Sequence, residues 1–280
     1  MHTLSIHRSP WLQRRRLLGR ALGMSLGTSL LSARAATTHA MTPVPTSGAA
    51  PTPAPQAGVP PALRPLTLDT ALGPVRAWWG DPDERASGAA GGPALMLLHG
   101  SGERGEVLDD VLRNGLGPLA RQALSRGWRV CLPQLPAQQS WSPDRLHALL
   151  PVLQMRSRGP LRWAVLGLSL GGRGAWEWAA SHPDDLAAAV SVCGWAEPAT
   201  ACAAAAVPMR AYHGALDDVV PLARQQAAVD ALRQCGGRMD FTVYPQVRHD
   251  AWGPALQDPQ LWPWLTQTLS SHLTVQGGAR

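Results

Sequence analysis

Residues Gly167-Leu168-Ser169-Leu170-Gly171-Gly172 decide the fold of this chain of 280 residues. They follow the pattern G-x-S-x-G, which is typical of a serine held on a sharp turn between a strand and a helix. The flanking sequence agrees, because residues 161–166 form an apolar run suited to a buried strand and residues 173–181 predict a helix that ends before Pro183. The pattern alone is weak evidence in a chain with 28 glycines, so three further segments are needed to interpret it.

The first of these segments is an apolar strand at 94–98 that runs into His99-Gly100-Ser101-Gly102. A glycine-rich turn after a strand presents backbone N–H groups at the carboxyl edge of a sheet, where they can stabilise an oxyanion. Taken alone, such a turn can also lack any chemistry. Together with the serine, it predicts an oxyanion hole formed by the N–H groups of Ser101 and Leu170, with Gly102 as the alternative to Ser101.

The second segment supplies a carboxylate. Residues 209–213 predict a strand that delivers Asp217 to a loop, and Pro221 then opens a helix. An acid behind a catalytic histidine fixes its tautomer and stabilises the imidazolium that forms during turnover. Asp217 is the predicted acid, while Asp218 fits the same role by spacing or could simply cap the following helix.

The third segment supplies a base. Residues 241–244 predict a strand, and His249 lies on the polar loop after it. Of the nine histidines, His249 alone follows the acid and lies on a loop after a strand, which gives the order serine, acid, histidine that this type of turn requires. The other eight lie in the leader or linker, in the two His-Gly turns, or in and at the ends of helical segments: His2, His7, His39, His99, His213, His147, His182 and His272.

Four motifs, LLHGSGERG (97–105), GLSLGG (167–172), HGALDDVVP (213–221) and RHDAW (248–252), together resemble those of an α/β-hydrolase. They are most similar to the bacterial phospholipase/carboxylesterase group, which overlaps with dienelactone-hydrolase-like proteins and with predicted peptidases related to prolyl oligopeptidase. The resemblance covers about residues 66–273. It implies an α/β fold, a mostly parallel, doubly wound sheet of about eight strands, and a triad of Ser169, Asp217 and His249.

The chain departs from that group at two points. Many members carry an acid directly after the His-Gly of the third motif, where this chain has Ala215-Leu216, and no cap domain is evident. The element order agrees with the fold independently, because strands alternate with helices. The predicted strands lie near 74–80, 94–98, 128–132 and 187–192, and the predicted helices at 107–125, 143–155 with Ser142 as its cap, and 222–232.

The amino-terminal region predicts export. Arg14-Arg15-Arg16 in residues 1–35 resembles a twin-arginine signal, followed by a modest apolar stretch and an Ala33-Arg34-Ala35 cleavage site. The alternatives are a general secretory signal or an uncleaved anchor, although the apolar stretch is short for a membrane span. We therefore expect a periplasmic or secreted protein without a stable membrane anchor.

Composition divides the rest of the chain. Residues 36–65 are rich in Pro, Ala and Thr and predict a disordered linker, residues 66–273 predict the catalytic domain, and 274–280 a flexible tail. The formal net charge is +6, but six of the 25 basic residues, all arginines, precede the proposed cleavage site, which leaves 19 arginines to balance 19 acids. The mature chain is thus neutral, and nothing in its charge supports nucleic-acid binding.

Cysteine and tryptophan are the remaining features. Among the four cysteines, Cys193 and Cys202 are expected to form a disulfide, with burial as small apolar side chains as the alternative. No cysteine pair has metal-ligand spacing, and neither a metal nor a cofactor is expected. Most of the 12 tryptophans predict core packing. Trp141, Trp195 and Trp252 fall on loops after strands and are expected to wall an acyl or aryl pocket.

These observations predict an exported serine hydrolase that cleaves small-molecule or lipid-like carboxylic esters through an acyl-enzyme intermediate. A serine peptidase acting on short or acylated peptides is the alternative enzyme, and a non-catalytic binding protein on the same fold is the alternative from another class. A thiol-dependent dienelactone hydrolase is disfavoured because the turn carries Ser169 where that chemistry needs a cysteine.

Overall fold

A computed structural model describes residues 62–82, 92–157 and 159–276 of the chain. Eight strands form one sheet in the order β1-β2-β4-β3-β5-β6-β7-β8. Strands β3 to β8 are parallel, whereas β1 and β2 form an antiparallel hairpin next to β4. The strands are β1 Leu63–Thr70, β2 Gly73–Gly80, β3 Gly92–Leu98, β4 Arg129–Pro133, β5 Leu161–Leu168, β6 Leu186–Val192, β7 Met209–Gly214 and β8 Met239–Tyr244. The expected mostly parallel sheet of about eight strands is confirmed.

Helices cover both faces of the sheet. The α-helices are α1 Leu116–Ser125, α2 Pro143–Arg156, α3 Leu170–Ser181, α4 Pro198–Ala201, α5 Leu222–Gln234, α6 Trp252–Ala255 and α7 Leu261–Gln276. Buried residues of α1 and α7 contribute to one apolar cluster, and those of α2, α3 and α5 to another. Four 3₁₀ turns, Ser101–Glu103, Leu108–Leu112, Pro183–Asp185 and Cys202–Ala204, connect these elements.

The central strands are buried on both faces, which explains their nearly continuous apolar sequences. Every residue of β4 and of β6 is buried. Tryptophan fills much of the space between sheet and helices, with Trp79, Trp176 and Trp178 among the largest fully buried side chains. The core role expected for most tryptophans is confirmed at these positions.

The strand order places a crevice between β3 and β5. From β3 the chain continues to β4 on one side, and then returns to β5 on the other side of β3. Such a reversal leaves a crevice at the carboxyl ends of the two strands, where ligands bind in open α/β sheets. The turn that starts at His99 follows β3 and Ser169 follows β5, so this order brings the two predicted site segments together.

Two predicted element boundaries were wrong. Strand β1 begins at Leu63, inside the segment 36–65 predicted as linker, because its alternating residues pair with β2 along its whole length. The helix predicted at 107–125 is a 3₁₀ turn followed by α1, because Asn114 and Gly115 have positive φ angles and interrupt it. The predicted cap of α2 is confirmed, since the Ser142 hydroxyl accepts a hydrogen bond from the Arg145 N–H.

The leader 1–35, residues 36–61 of the predicted linker and residues 277–280 of the predicted tail lie outside the described residues, whereas α7 continues through residues 274–276, which were predicted as tail. Within the part of the chain that the structure describes, no helix is both long and apolar enough to cross a bilayer.

Candidate active site

The nucleophile candidate lies on a strained turn. Ser169 directly follows β5 and precedes α3, and its backbone has φ 53° and ψ −111°. Such angles are rare for a residue with a side chain, and they are typical of functional turns of this kind. The Ser169 N–H donates to the carbonyl of Val192 at 2.8 Å, which fixes the turn to the end of β6.

Glycines allow this turn to form because the backbone segments approach very closely. A Cβ atom on Gly167 would lie 2.0 Å from the carbonyl oxygen of Gly171, and one on Gly171 would lie 2.1 Å from the carbonyl oxygen of Leu98. No side chain fits at either position. The glycine pattern therefore packs the start of α3 against the ends of β3 and β5.

The serine, histidine and aspartate form one hydrogen-bonded row. The Nε2 atom of His249 lies 2.9 Å from Ser169 Oγ, and its Nδ1 atom lies 2.8 Å from Asp217 Oδ2. The Asp217 side chain is fully buried, whereas the His249 side chain is 18% exposed. With Nδ1–H donating to the carboxylate, Nε2 is left to accept the proton of the serine hydroxyl.

The surroundings of Asp217 hold its carboxylate in one orientation. Its Oδ1 atom accepts hydrogen bonds from the N–H groups of Val219 and Val220, and His213 Nε2 lies 3.2 Å from Oδ2. The alternative acid, Asp218, has an exposed side chain that pairs with Arg248. The structure thus brings Asp217, and not Asp218, into contact with the histidine.

The turn after β3 passes directly beside the nucleophile. A Cβ atom on Gly100 would lie 3.6 Å from Ser169 Cβ, and Ser101 begins the 3₁₀ turn that follows. Leu170, the other residue expected to donate an N–H, is the first residue of α3. Ser101 therefore follows a glycine that lies beside Ser169, and Leu170 follows Ser169 itself. That their N–H groups form the oxyanion hole is our proposal.

Buried side chains form hydrogen bonds to the backbone of the turn that begins at His99. The indole N–H of Trp141 donates to the His99 carbonyl, the His99 Nδ1–H donates to the Gly100 carbonyl, and His99 Nε2 accepts from the Leu135 N–H. Burial lowers the pKa of His99 to about 4, so the imidazole is neutral at pH 7. These three contacts fix the backbone of His99, Gly100 and Leu135.

Glu103 is a further buried group in the turn, and the sequence alone did not single it out. Its Oε1 atom accepts a hydrogen bond from Asn114 Nδ2 at 2.7 Å. Burial raises the pKa of its carboxyl group, although hydrogen bonds from the Gly100 and Glu103 N–H groups oppose that shift. The presence of a glutamate inside a glycine-rich turn was the only feature of the sequence that could have indicated a buried, hydrogen-bonded carboxylate here.

The three tryptophans expected to wall a pocket lie in different environments. Trp252 packs edge-on against the His249 ring, with centroids 5.6 Å apart, and lines a cavity of about 450 Å³ together with Leu119 and Leu256. Trp195 is half-buried and lies under the guanidinium groups of Arg173 and Arg224. Only Trp252 therefore combines contact with His249 and an adjoining cavity.

Trp141 differs from the expectation because it is buried. Its ring packs in the apolar core and against Gly174, where an added Cβ would lie 2.7 Å from Trp141 Cβ. It lines a cavity of about 300 Å³ with Leu135 and Leu149. Ser169 lines neither this cavity nor the one beside Trp252.

The expected disulfide between Cys193 and Cys202 was wrong. Cys193 is a buried free thiol beside Asp217 and His249, and burial raises its pKa to about 12. Cys202 instead pairs with Cys235. The reason is geometric, because the exposed 3₁₀ turn that begins at Cys202 packs against α5, and Cys235 caps that helix.

Comparison with known proteins gives a match to a family model over part of the chain and matches to solved structures of similar fold. A family model described as phospholipase/carboxylesterase matches residues 137–261, which include all three residues of the hydrogen-bonded row. A search of curated proteins gave no significant match.

Several solved structures have a similar fold. A thermostable esterase matches with a TM-score of 0.65 and 22% identity over 74% of this chain and 63% of its own. A putative dienelactone hydrolase from Klebsiella pneumoniae matches with a TM-score of 0.55 and 18% identity over 73% of this chain and 98% of its own. An acylaminoacyl peptidase from Pyrococcus horikoshii matches with a TM-score of 0.55 and 12% identity over 73% of this chain and 41% of its own. This chain thus spans less than two thirds of the first and third of these proteins.

Proposed function

We propose that this protein is an α/β-hydrolase of the esterase, phospholipase or peptidase type, and that it is a serine hydrolase of carboxylic esters. The observation that carries the proposal is the hydrogen-bonded row from Ser169 through His249 to Asp217. The strained backbone of Ser169 adds to it, because such strain persists only where the surrounding structure enforces it.

The chemistry follows from the orientation of the three side chains. His249 takes the proton of the Ser169 hydroxyl as the serine oxygen attacks the ester carbonyl, and the N–H groups of Ser101 and Leu170 stabilise the tetrahedral oxyanion. Asp217 stabilises the imidazolium. His249 then protonates the leaving alcohol. In the second half of the reaction His249 deprotonates a water molecule that attacks the acyl-enzyme carbonyl, and the proton passes to the Ser169 oxygen as its bond to the acyl group breaks and the acid is released.

The surroundings of His249 favour an ester with an apolar acyl or aryl group. The cavity of about 450 Å³ beside Trp252 is large enough for such a group, and Leu119 and Leu256 form part of its apolar wall. The match to a phospholipase/carboxylesterase model supports the same substrate class. Because Trp252 both lines this cavity and packs against the His249 ring, we propose that the acyl or aryl group extends from the active site towards this cavity.

A peptidase is the second candidate, because the fold is shared with an acylaminoacyl peptidase and with a puromycin-hydrolysing peptidase from Mycobacterium tuberculosis. Matched p-nitrophenyl acetate and p-nitroacetanilide separate the two, since they differ in the leaving atom and share the acyl group. Turnover of the ester without turnover of the anilide supports the esterase, and anilide turnover that is lost in Ser169→Ala supports the peptidase.

We also propose that the protein works outside the cytoplasm. The twin-arginine-like sequence at 14–16 supports export, and the disulfide between Cys202 and Cys235 is of the kind that persists in oxidising compartments. Fractionation of the native host, with the mature amino terminus read by mass spectrometry, tests this. Cleavage after Ala35 is the expected result, and full-length protein in the cytoplasm would contradict it.

The decisive test of the serine mechanism is Ser169→Ala. Turnover of p-nitrophenyl acetate, butyrate and octanoate should fall by about 10³-fold or more, because the nucleophile is lost. The control is Ser125→Ala, which changes an exposed serine at the end of α1 and should leave kcat/KM unchanged. Activity that survives in Ser169→Ala would overturn the assignment, and an intact protein without activity on esters or amides would favour a non-catalytic binding role.

A further inference from the structure

A second cluster of polar side chains lies where α2 packs beside the end of α3. Asp144 and His147 are three residues apart in the first half of α2, and His182 and Asp185 are three residues apart just after α3. Residues three apart in a helical segment lie on one face. Each segment therefore presents one carboxylate and one imidazole to the other.

The four side chains meet in crossed pairs. His147 Nδ1 lies 2.8 Å from Asp185 Oδ2, and His182 Nε2 lies 2.9 Å from Asp144 Oδ1. The two imidazole rings stack with centroids 4.5 Å apart and an angle of 9° between their planes. Ligand atoms of His147, His182 and Asp185 all lie within 4.8 Å of one another.

We propose that His147, His182 and Asp185, with Asp144 as a hydrogen-bond partner of His182, form a binding site for one divalent transition-metal ion, with Zn²⁺ as the best-fitting ion. Imidazole nitrogen and carboxylate oxygen are typical zinc ligands, with bonds of about 2.0–2.2 Å, so that neighbouring ligand atoms are about 3.4 Å apart. The contact of 2.8 Å between His147 Nδ1 and Asp185 Oδ2 is shorter than this by about half an ångström, and the ligand atoms of all three residues lie within 4.8 Å of one another, so side-chain rotations are needed to reach the spacing around one ion. Mixed nitrogen and oxygen ligation does not suit Mg²⁺, which prefers oxygen ligands and water.

A contact behind the cluster supports the same assignment. The indole N–H of Trp178 donates to Asp185 Oδ2 at 2.9 Å, and Trp178 itself is fully buried in the core. Such hydrogen bonds orient ligating carboxylates and are common behind metal ligands. Access from solvent is open, because the side chains of His147 and His182 are 52% and 26% exposed.

Charge gives a further reason for a cation. Asp144 and Asp185 bring two carboxylates to the cluster, each within hydrogen-bond distance of one imidazole. A divalent ion between the pairs offsets both carboxylates at once. The ion would join α2 to the end of α3, whose first turn follows Ser169, so its role is structural and does not depend on the proposed esterase activity.

The test is a Zn²⁺ titration of the full chain after treatment with a chelator, followed by calorimetry and by thermal unfolding. We expect one equivalent bound at this site, and a rise in Tm of about 5–10 °C when free Zn²⁺ is about 100-fold above Kd. His147→Ala and His182→Ala should each lose that equivalent or weaken it at least about 10-fold, and Mg²⁺ should not displace it. Gln154→Ala, an exposed change on the same helix, is the matched control and should bind like the unchanged protein.

Comparison with the variants distinguishes zinc binding at this cluster from zinc binding in the leader and linker, which contain His2, His7 and His39. Zinc binding that is the same in the unchanged chain and in both histidine variants would overturn the proposal. Absence of stoichiometric binding in the unchanged chain would overturn it as well, and would leave the four residues as two hydrogen-bonded pairs between α2 and α3.

Discussion

His99 is buried at the end of β3, and burial lowers the pKa of its imidazole from 6.5 to about 4. The folded protein therefore binds fewer protons than the unfolded chain between these values, so the stability associated with His99 is present above pH 6.5 and is lost as the pH falls towards 4. The expected loss from pH 7 to pH 4 is about 3 kcal/mol of unfolding free energy. Protonation would also remove the hydrogen bond that Nε2 accepts from Leu135.

Urea unfolding of the unchanged protein and of His99→Asn at several pH values measures the contribution of His99 to the unfolding free energy. The variant has no titrating group at this position, so its unfolding free energy should fall less steeply between pH 7 and pH 4. If the unfolding free energy fell equally steeply with pH in both proteins, protonation of His99 would not be the cause of the loss of stability in acid.

Glu103 is a second single residue with a testable effect, because its carboxylate positions the turn beside Ser169. Glu103→Ala removes the acceptor of the Asn114 and Gly100 N–H groups, so the turn should hold the proposed oxyanion donor, the Ser101 N–H, less accurately. We expect kcat to fall about tenfold or more while KM changes little, because the donors act mainly on the transition state. The control is Glu106→Ala, which removes an exposed carboxylate three residues away; a change confined to KM would contradict the assignment.

At the scale of elements, the join between β5 and α3 depends on glycine. Gly167→Ala places a Cβ 2.0 Å from the Gly171 carbonyl oxygen, so the backbone must move. We expect a loss of more than about 3 kcal/mol of stability, or insoluble protein. Gly253→Ala is the matched control, because a Cβ there meets nothing within 4 Å and alanine favours the helix; both are compared by thermal unfolding, and equal Tm values would contradict the prediction.

The disulfide is the second feature at this scale, since it joins the 3₁₀ turn at Cys202 to the end of α5. The two cysteines are 33 residues apart, a loop whose closure stabilises the fold by about 3–4 kcal/mol in the chain-entropy model. The double variant Cys202→Ser/Cys235→Ser should lose that amount in denaturant unfolding and retain its activity. Reductant should lower the stability of the unchanged protein alone, and an effect on the double variant would point to another bridge.

Across the whole molecule, the features that the sequence predicted correctly are those that depend on short stretches of residues, such as strands and the loops that follow them. The apolar runs before Ser169, Asp217 and His249 predicted three strands and the loops after them, and the parallel sheet brings those loops to one edge. Strand β1 was missed because Pro65 and the adjoining Pro- and Ala-rich segment resemble a linker, and only pairing with β2 identifies it.

Features that depend on distant contacts could not be predicted. The pairing of Cys202 with Cys235 and the contact of Glu103 with Asn114 follow from packing between elements. Each hydrogen-bonded pair in the cluster of Asp144, His147, His182 and Asp185 joins residues 38 positions apart, so no ligand spacing appears in the sequence. Even burial of Trp141 follows from its approach to Gly174, which the sequence of its loop does not show.

The distance along the chain between Ser169 and His249 has a consequence for folding. The two residues are 80 positions apart, and their contact requires β5, β6, β7 and β8 to be aligned in the sheet. Parallel pairing of this kind closes long loops before it gains stabilising contacts, and it is therefore slow. Recovery of catalytic turnover during refolding should consequently lag behind recovery of helical circular dichroism, which makes enzyme activity a reporter of the last ordering step of the chain.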